Sequence, residues 1–403
     1  MQRKAIHIYN ARILTPDGWI ERGSLLIAEG KILAVQGVEA PANDADDHIE
    51  RIDAKGRYLL PGFIDIHVHG GGGYDAMTGD LDHLIGMCKF HAAHGTTSLL
   101  ATTLTATHEE IIHALAGAAE AMKLEREPDG AHLLGVHLEG PFLNPARCGA
   151  QNPADLRDPS IEEFDAFWNA AQGTIKLMTI APELNLAEAV IRHAVRQGVT
   201  VSLGHTDADL DTMQRAAVWG ATQVTHLFNG MRPLHHREPG AAGSALMLDE
   251  LATEMICDGI HVHPDLVKWV FRVKPKEKVV LITDCMCAAG CADGEYVLGK
   301  LPVIMKNGKV YLKQDGGGEG SLAGSSLTML EALVNSVAFT GNNLAEVIPA
   351  LTINPARQLG IDHLKGSIEA GKDADFILLD DEMKLMQTFV RGIKVFEREG
   401  ERL

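Results

Sequence analysis

The chain has 403 residues, 46% of them apolar and 5% aromatic, with 36 Lys plus Arg against 54 Asp plus Glu and a formal net charge of −18. That charge opposes a phosphate backbone or an anionic bilayer, and so few aromatic rings offer little to stack single-stranded bases, which excludes nucleic-acid and membrane-surface partners. Six sparse cysteines, an N-terminus without the apolar stretch of a signal peptide, and no apolar run of roughly 18–20 residues lead to the expectation of a cytoplasmic enzyme.

Taken in chain order, residues 5–14, 24–27 and 31–35 are apolar runs, with Glu29-Gly30 turning the chain between the last two. After Leu60-Pro61-Gly62 the texture changes to alternating strands and helices. Predicted strands occupy 62–68, 96–103, 132–138, 175–180, 200–203, 223–225, 253–257 and 278–283. Helical spacing falls between most of them, as at 81–93, 109–123, 187–197 and 208–219. Eight β units in succession point to an α/β chain built as a (β/α)8 TIM-like barrel rather than an open doubly wound sheet. A hairpin follows at 303–306 and 309–312 around Asn307-Gly308, then a glycine-rich loop at 315–320 and a helix from Leu327. The tail turns to strands again at 374–379, 387–390 and 394–396. Strands at both ends of a barrel predict a small β-sandwich domain made from both termini, 1–58 and 359–403, around a barrel at 59–358.

The strongest chemical signal is His67-Val68-His69 at the end of the first barrel strand. Residues two apart on a strand share a face, and barrel active sites form at the C-terminal strand ends. Glu139, His205, His226 and Asp284 each follow a later predicted strand, so all six side chains converge on one mouth. Four imidazoles and two carboxylates suit zinc or iron, and a carboxylate can bridge two ions. His137 shares the inward face of Glu139 and is expected beside it. Other features read as structural. Cys285, Cys287 and Cys291 lack a fourth ligand and are expected to be packed thiols. The run Gly70-Gly71-Gly72-Gly73 has no following Lys-Ser/Thr, so it is no phosphate loop. It is expected to pass close to the metals or to flex as a lid.

These residues also carry a resemblance. Leu60-Pro61-Gly62-Phe63-Ile64-Asp65-Ile66-His67-Val68-His69 resembles the opening signature of the amidohydrolase superfamily. Further along, His137-Leu138-Glu139-Gly140-Pro141-Phe142, Gly204-His205-Thr206, His226-Leu227-Phe228-Asn229-Gly230-Met231, Arg237-Glu238-Pro239-Gly240, Asp258-Gly259-Ile260-His261 and Leu322-Ala323-Gly324-Ser325 resemble, in order, the N-acetylglucosamine-6-phosphate deacetylases. The resemblance implies a metal held by Glu139, His205 and His226. A second ion is implied with His67 and His69, which some relatives lack, together with Glu139 and Asp284. One or two divalent ions per chain are therefore expected, zinc first and iron as the alternative. Asp284 matches the family's acid/base. Asn229, Gly230, Arg237 and His261 match positions that grip a phosphorylated amino sugar, and Ile260, Leu322, Ala323 and Gly324 match loops that line its pocket. In the family Arg237 reaches across from a neighbouring subunit, which implies a homodimer. In the loop Gly149-Ala150-Gln151-Asn152-Pro153, Ala150 and Gln151 match family positions beside the acetyl group. Some relatives place there a His that bonds the acetyl carbonyl; the Gln151 amide can donate a hydrogen bond but cannot become a cation.

Physically the set suits amide hydrolysis, with a divalent ion activating water, Asp284 moving the proton, and Arg237 and His261 fixing a remote phosphate. The expected reaction is removal of acetyl from N-acetylglucosamine 6-phosphate, the N-acetylgalactosamine epimer being the nearest rival. Other amidohydrolases usually bridge their metals with a carboxylated Lys, whereas here Glu139 stands in that role. A non-catalytic barrel predicts eroded ligands, and all six are present.

Overall fold

Apolar runs long enough only for a strand, each followed by an amphipathic helix, close on one another because both faces of a parallel sheet must be covered. The computed structural model describes residues 4–37, 49–124, 127–314 and 319–399. The first strands are β1 Ala5–Thr15, β2 Gly18–Ala28, β3 Lys31–Gly37, β4 Ile49–Asp53 and β5 Tyr58–Pro61. The barrel begins with β6 Phe63–Val68, and a two-residue ladder, β7 Gly70–Gly71 with β8 Tyr74–Asp75, follows it. It continues with β9 Thr96–Thr102, β10 His132–Glu139, β11 Ile175–Ile180, β12 Thr200–Leu203, β13 Gln223–Val224, β14 Ala252–Ile256 and β15 Val279–Ile282. These eight pair in parallel in the order β15-β14-β13-β12-β11-β10-β9-β6. β6, β9, β14 and β15 are buried at every residue, as strands covered on both faces must be.

The ladder stops between β6 and β15, and other groups close that seam. Asp284 N donates to His67 O at 2.9 Å, and His69 N donates to Cys285 O at 2.8 Å. Deeper, the buried Asp65 carboxylate accepts from Thr283 Oγ1 at 2.6 Å and from His67 N at 3.3 Å. First and last barrel strands thus lie side by side, which brings His67 and His69 next to a residue more than two hundred positions away.

Past the barrel come β16 Gly294–Leu298, β17 Leu301–Lys306, β18 Lys309–Lys313 and β19 Glu319–Leu322, an antiparallel four-stranded sheet. The expected hairpin is β17–β18, closed where Lys306 opposes Lys309, and it has a further strand on each side. Residues 315–318 of the expected glycine-rich loop lie outside the described residues. The sheet has its own small core of Leu298, Val303, Met305 and Val310 packed on Leu104, Met286 and Ala323.

The helix expected from Leu327 runs Met329–Thr340, capped by Thr328 and Glu331 in a reciprocal capping box. The last strands in sequence are β20 Phe376–Leu379, β21 Leu385–Val390 and β22 Ile393–Glu397. These complete a mixed sheet ordered β22-β21-β20-β5-β1-β2-β3, with β4 beside β1, so strands from both termini share one sheet. The join is β5 against β20, where Pro61 opposes Phe376 and Tyr58 opposes Leu379. Buried Lys365, paired with Asp373 at 2.9 Å and Asp375 at 2.5 Å, ties the approach to β20.

Candidate active site

His67 and His69 sit at the end of β6 and just beyond it, and Glu139 ends β10. His205, His226 and Asp284 each lie two residues past β12, β13 and β15. All three take left-handed backbone angles, with φ of 47°, 27° and 51°. That turn ends each strand and aims the side chain across the mouth. Gly230 lies against His205: at its φ of +58° an added Cβ would stand 2.9 Å from His205 Nδ1.

The four imidazoles are oriented alike. His67 Nδ1 donates to Glu254 Oε2 at 3.0 Å and His69 Nδ1 faces Thr102 O at 3.3 Å. His205 Nδ1 faces Arg147 O at 2.9 Å and His226 Nδ1 faces Asn229 O at 3.1 Å. With each Nδ1–H given to an oxygen, the Nε2 lone pairs are left pointing inward. Those of His205 and His226 confront one another at 3.1 Å. Glu139 stands between the two pairs: Oε2 lies 3.3 Å from His69 and 3.5 Å from His67, while Oε1 lies 3.2 Å from His205 and 3.3 Å from His226. Asp284 Oδ1 is 3.2 Å from His69 Nε2 and 3.6 Å from His67 Nε2.

Two buried triads result, His67–His69–Glu139 and Glu139–His205–His226, and they fit a divalent ion. Tetrahedral ligands bound at about 2.0–2.1 Å are separated by about 3.3 Å, which is the spacing found. His67 Nε2 and Glu139 Oε1 are buried without any hydrogen-bond partner, which is costly unless a cation serves them. The electrostatics agree. Although burial acts to lower them, the neighbouring carboxylates raise His67 well above its ordinary value and His69 to about 9. Burial pushes Asp284 upward, but the His69 hydrogen bond and the surrounding imidazoles hold it at about 2. The cluster demands positive charge, as protons or as metal.

Above the triads lies a cavity of about 350 Å³, within the ordinary range for small-molecule sites. Ala150, Gln151, Asn229, Gly230, His261, Leu322 and Gly324 line it beside the metal donors, and Leu298 and Ser321 of the four-stranded sheet roof it. His261 Nδ1 donates to Asp258 Oδ2 at 2.6 Å, so its Nε2 is free for the cavity; against burial, Asp258 raises the His261 pKa. Three expected residues are placed elsewhere. Ala323 is buried in the core of the small sheet, Ile260 is exposed beside the cavity, and Arg237 is on an exposed loop with Nη1 2.7 Å from His236 Nε2. Among the described residues that line the cavity there is no Lys or Arg.

His137 lies under His67, with ring centroids 4.5 Å apart, and Nε2 is bonded to Thr179 Oγ1 at 2.7 Å; burial keeps it neutral. The glycine run lies along the segment that follows β15. Gly70, Gly72 and Gly73 donate to the carbonyls of Cys285, Ala289 and Cys287 at 2.8–3.0 Å. A Cβ on Gly70 would meet Tyr74 O at 2.3 Å, so close passage is the reason for that glycine. Cys285, Cys287 and Cys291 direct their thiols at backbone carbonyls. Glu254, which the sequence reading passed over, is buried in mid-β14 and also accepts from Gln223 Nε2 at 2.6 Å and His226 N at 3.2 Å.

A parallel barrel whose strand ends carry His-x-His, Glu, His, His and Asp around one mouth defines a metal-dependent hydrolase of the amidohydrolase type. Residues 58–396 match the amidohydrolase family, and the chain belongs to it. It is 40% identical, over 96% of both chains, to N-acetylglucosamine-6-phosphate deacetylase of Bacillus subtilis (strain 168). It is 38% identical to N-acetylgalactosamine-6-phosphate deacetylase of Escherichia coli O157:H7, over 96% of this chain and 98% of that one. Among solved structures, a variant of N-acetyl-D-glucosamine-6-phosphate deacetylase from Mycobacterium smegmatis, in complex with N-acetyl-D-glucosamine-6-phosphate, superposes with a TM-score of 0.89 at 34% identity, covering 97% of this chain and 99% of that one.

Proposed function

We propose that the protein hydrolyses the acetamide of N-acetylglucosamine 6-phosphate to glucosamine 6-phosphate and acetate. The observation that carries this is the pair of triads sharing Glu139 under a cavity of sugar-phosphate size, in a chain similar over nearly its whole length to deacetylases of that substrate. Glu139, His205 and His226 would hold one ion and His67, His69, Glu139 and Asp284 a second, zinc being favoured by the nitrogen-rich donors and iron the alternative. When bound, a divalent ion supplies Lewis acidity that polarises the acetyl carbonyl and makes water nucleophilic near neutral pH.

The remaining work falls to side chains. Asp284, ionised at neutral pH, takes a proton from the attacking water and returns it to the amide nitrogen, which leaves poorly unless protonated. His261, oriented by Asp258, offers Nε2–H to a sugar or phosphate oxygen, and Asn229 and Gly230 present the opposite wall. Leu298 and Leu322 place apolar surface over the reacting atoms. A dianionic phosphate needs more cation than this chain places in its own cavity. Arg237 is exposed, no carboxylate among the described residues is bound to it, and its loop and the helix after it expose Leu234 and Met247. This supports a homodimer in which each copy lends Arg237 to the other. Six cysteines outside any disulfide support a reducing compartment, the cytoplasm.

The similarity to an N-acetylgalactosamine-6-phosphate deacetylase supports a second reading, that the C4 epimer is the substrate. Acetate release from both N-acetyl sugars, each with and without the 6-phosphate, decides. The proposal expects the glucose-configured phosphate to have the highest kcat/KM; activity indifferent to the phosphate would overturn it.

A further inference from the structure

Gln151 borders the cavity, yet its amide is engaged on both sides. Its Oε1 accepts from Thr105 N at 2.7 Å. A backbone N–H demands an acceptor, so that contact fixes which end of the amide is oxygen. The nitrogen then faces Glu139 and donates to Oε2 at 2.9 Å. Oε2 is the oxygen turned to His67 and His69, whereas Oε1, turned to His205 and His226, receives no hydrogen bond. The residue is 4% exposed, so the amide has no room to turn away.

We propose that Gln151 is a positioning residue for Glu139. It fixes the plane of the shared carboxylate so that Oε2 serves the His67–His69 ion while Oε1 serves the other. This deepens the metal-centre reading and rests on it. Glutamine suits the task because it donates without carrying charge. An imidazole that became a cation at the same point would compete with a metal ion for Oε2. Groups that orient metal ligands typically contribute 10–100-fold to metal affinity.

The test is Gln151→Met, which keeps length and removes both hydrogen bonds. Zinc binding to the metal-free protein is followed by competition with a chelator, and steady-state kinetics are run with and without excess zinc. The expected result is tenfold or more weaker binding of one ion, with the other held within about threefold, which also shows that the variant is folded. Excess zinc should restore most of kcat, with KM little changed. Unchanged affinity for both ions together with a raised KM or a zinc-insensitive loss of kcat would overturn the inference and place Gln151 on the substrate. Equal weakening of both ions would overturn it too. If the unsubstituted protein takes up only one ion, the two-ion reading itself fails, and the inference with it.

Discussion

Glu254→Gln probes the support behind the metal donors. Glu254 is fully buried, with Oε2 on His67 Nδ1 and His226 N and Oε1 on Gln223 Nε2. A glutamine of the same shape can keep its oxygen toward His67 only by turning its NH2 to Gln223. Gln223 can answer by turning over, because its own Oε1 is buried without a partner. Hydrogen bonds are then conserved, and fold stability should change by no more than about 1 kcal/mol. What disappears is the carboxylate charge that holds the proton on His67 Nδ1 and strengthens Nε2 as a ligand. Loss of such a partner costs about 10–100-fold in metal affinity, or roughly 1.4–2.7 kcal/mol. Glu254→Leu strands three buried donors instead, at about 1–3 kcal/mol each, so it should also lower the unfolding midpoint markedly. The assay pairs zinc–chelator competition with urea unfolding of the metal-free protein. A Gln variant that binds both ions as tightly as the parent, or one as unstable as the Leu variant, would refute the reasoning.

Asp284→Asn should lower kcat by at least about 10²-fold while the Glu139–His205–His226 ion stays bound; kcat measured with metal content checks this, and near-normal turnover would remove Asp284 from the chemistry. Arg237→Ala should raise KM for the phosphorylated sugar and leave the unphosphorylated one nearly unaffected. Mixing it with Asp284→Asn should restore activity at low substrate if the arginine acts across a dimer, and equal losses on both sugars would count against a phosphate role. Buried His91, whose Nε2 bonds Gly70 O at 2.9 Å, is lowered by burial from 6.5 to about 4. A depressed folded value means its contribution is fully present above pH 6.5 and is lost as pH falls from there through about 4. The full loss is roughly 3 kcal/mol. Urea midpoints of His91→Asn in chelator should therefore fall less steeply over that window than those of the parent, and parallel curves would reject the assignment.

The barrel and its converging ligands were legible because each ligand follows an apolar run at the one place where a barrel strand gives up its side chains to the mouth. Glu254 was not, since it interrupts the apolar run Ala252–Ile256 as a lone charge, which by pattern alone reads as a solvent-facing residue. The available signal was its company: a carboxylate inside a strand covered on both faces must find buried donors. The small sheet was half legible. Asn307-Gly308 marks its central turn, but β16 alternates half-buried and exposed residues and shows no apolar run. The glycine run had two readings, passage close to the metals or a lid, and its pairing with residues 285–289 carries no sequence signal. Arg237 is undetermined by any single chain, because the role proposed for it lies outside the copy that carries it.

The left-handed backbone at His205, His226 and Asp284 has a consequence for any effort to harden this enzyme. A residue other than glycine in that region carries a conformational cost of order 1–3 kcal/mol. Glycine at any of the three would relieve it, so selection for thermal resistance alone rewards replacing the proposed metal donors and proton carrier. Screening for heat tolerance in a chelating buffer would drift toward a sturdier barrel with an empty mouth. With metal present the pressure reverses, because ligand binding to the folded state outweighs the backbone cost whenever the ion is well above its Kd. Bound metal would thus offset a backbone cost that the metal-free fold carries at these three residues.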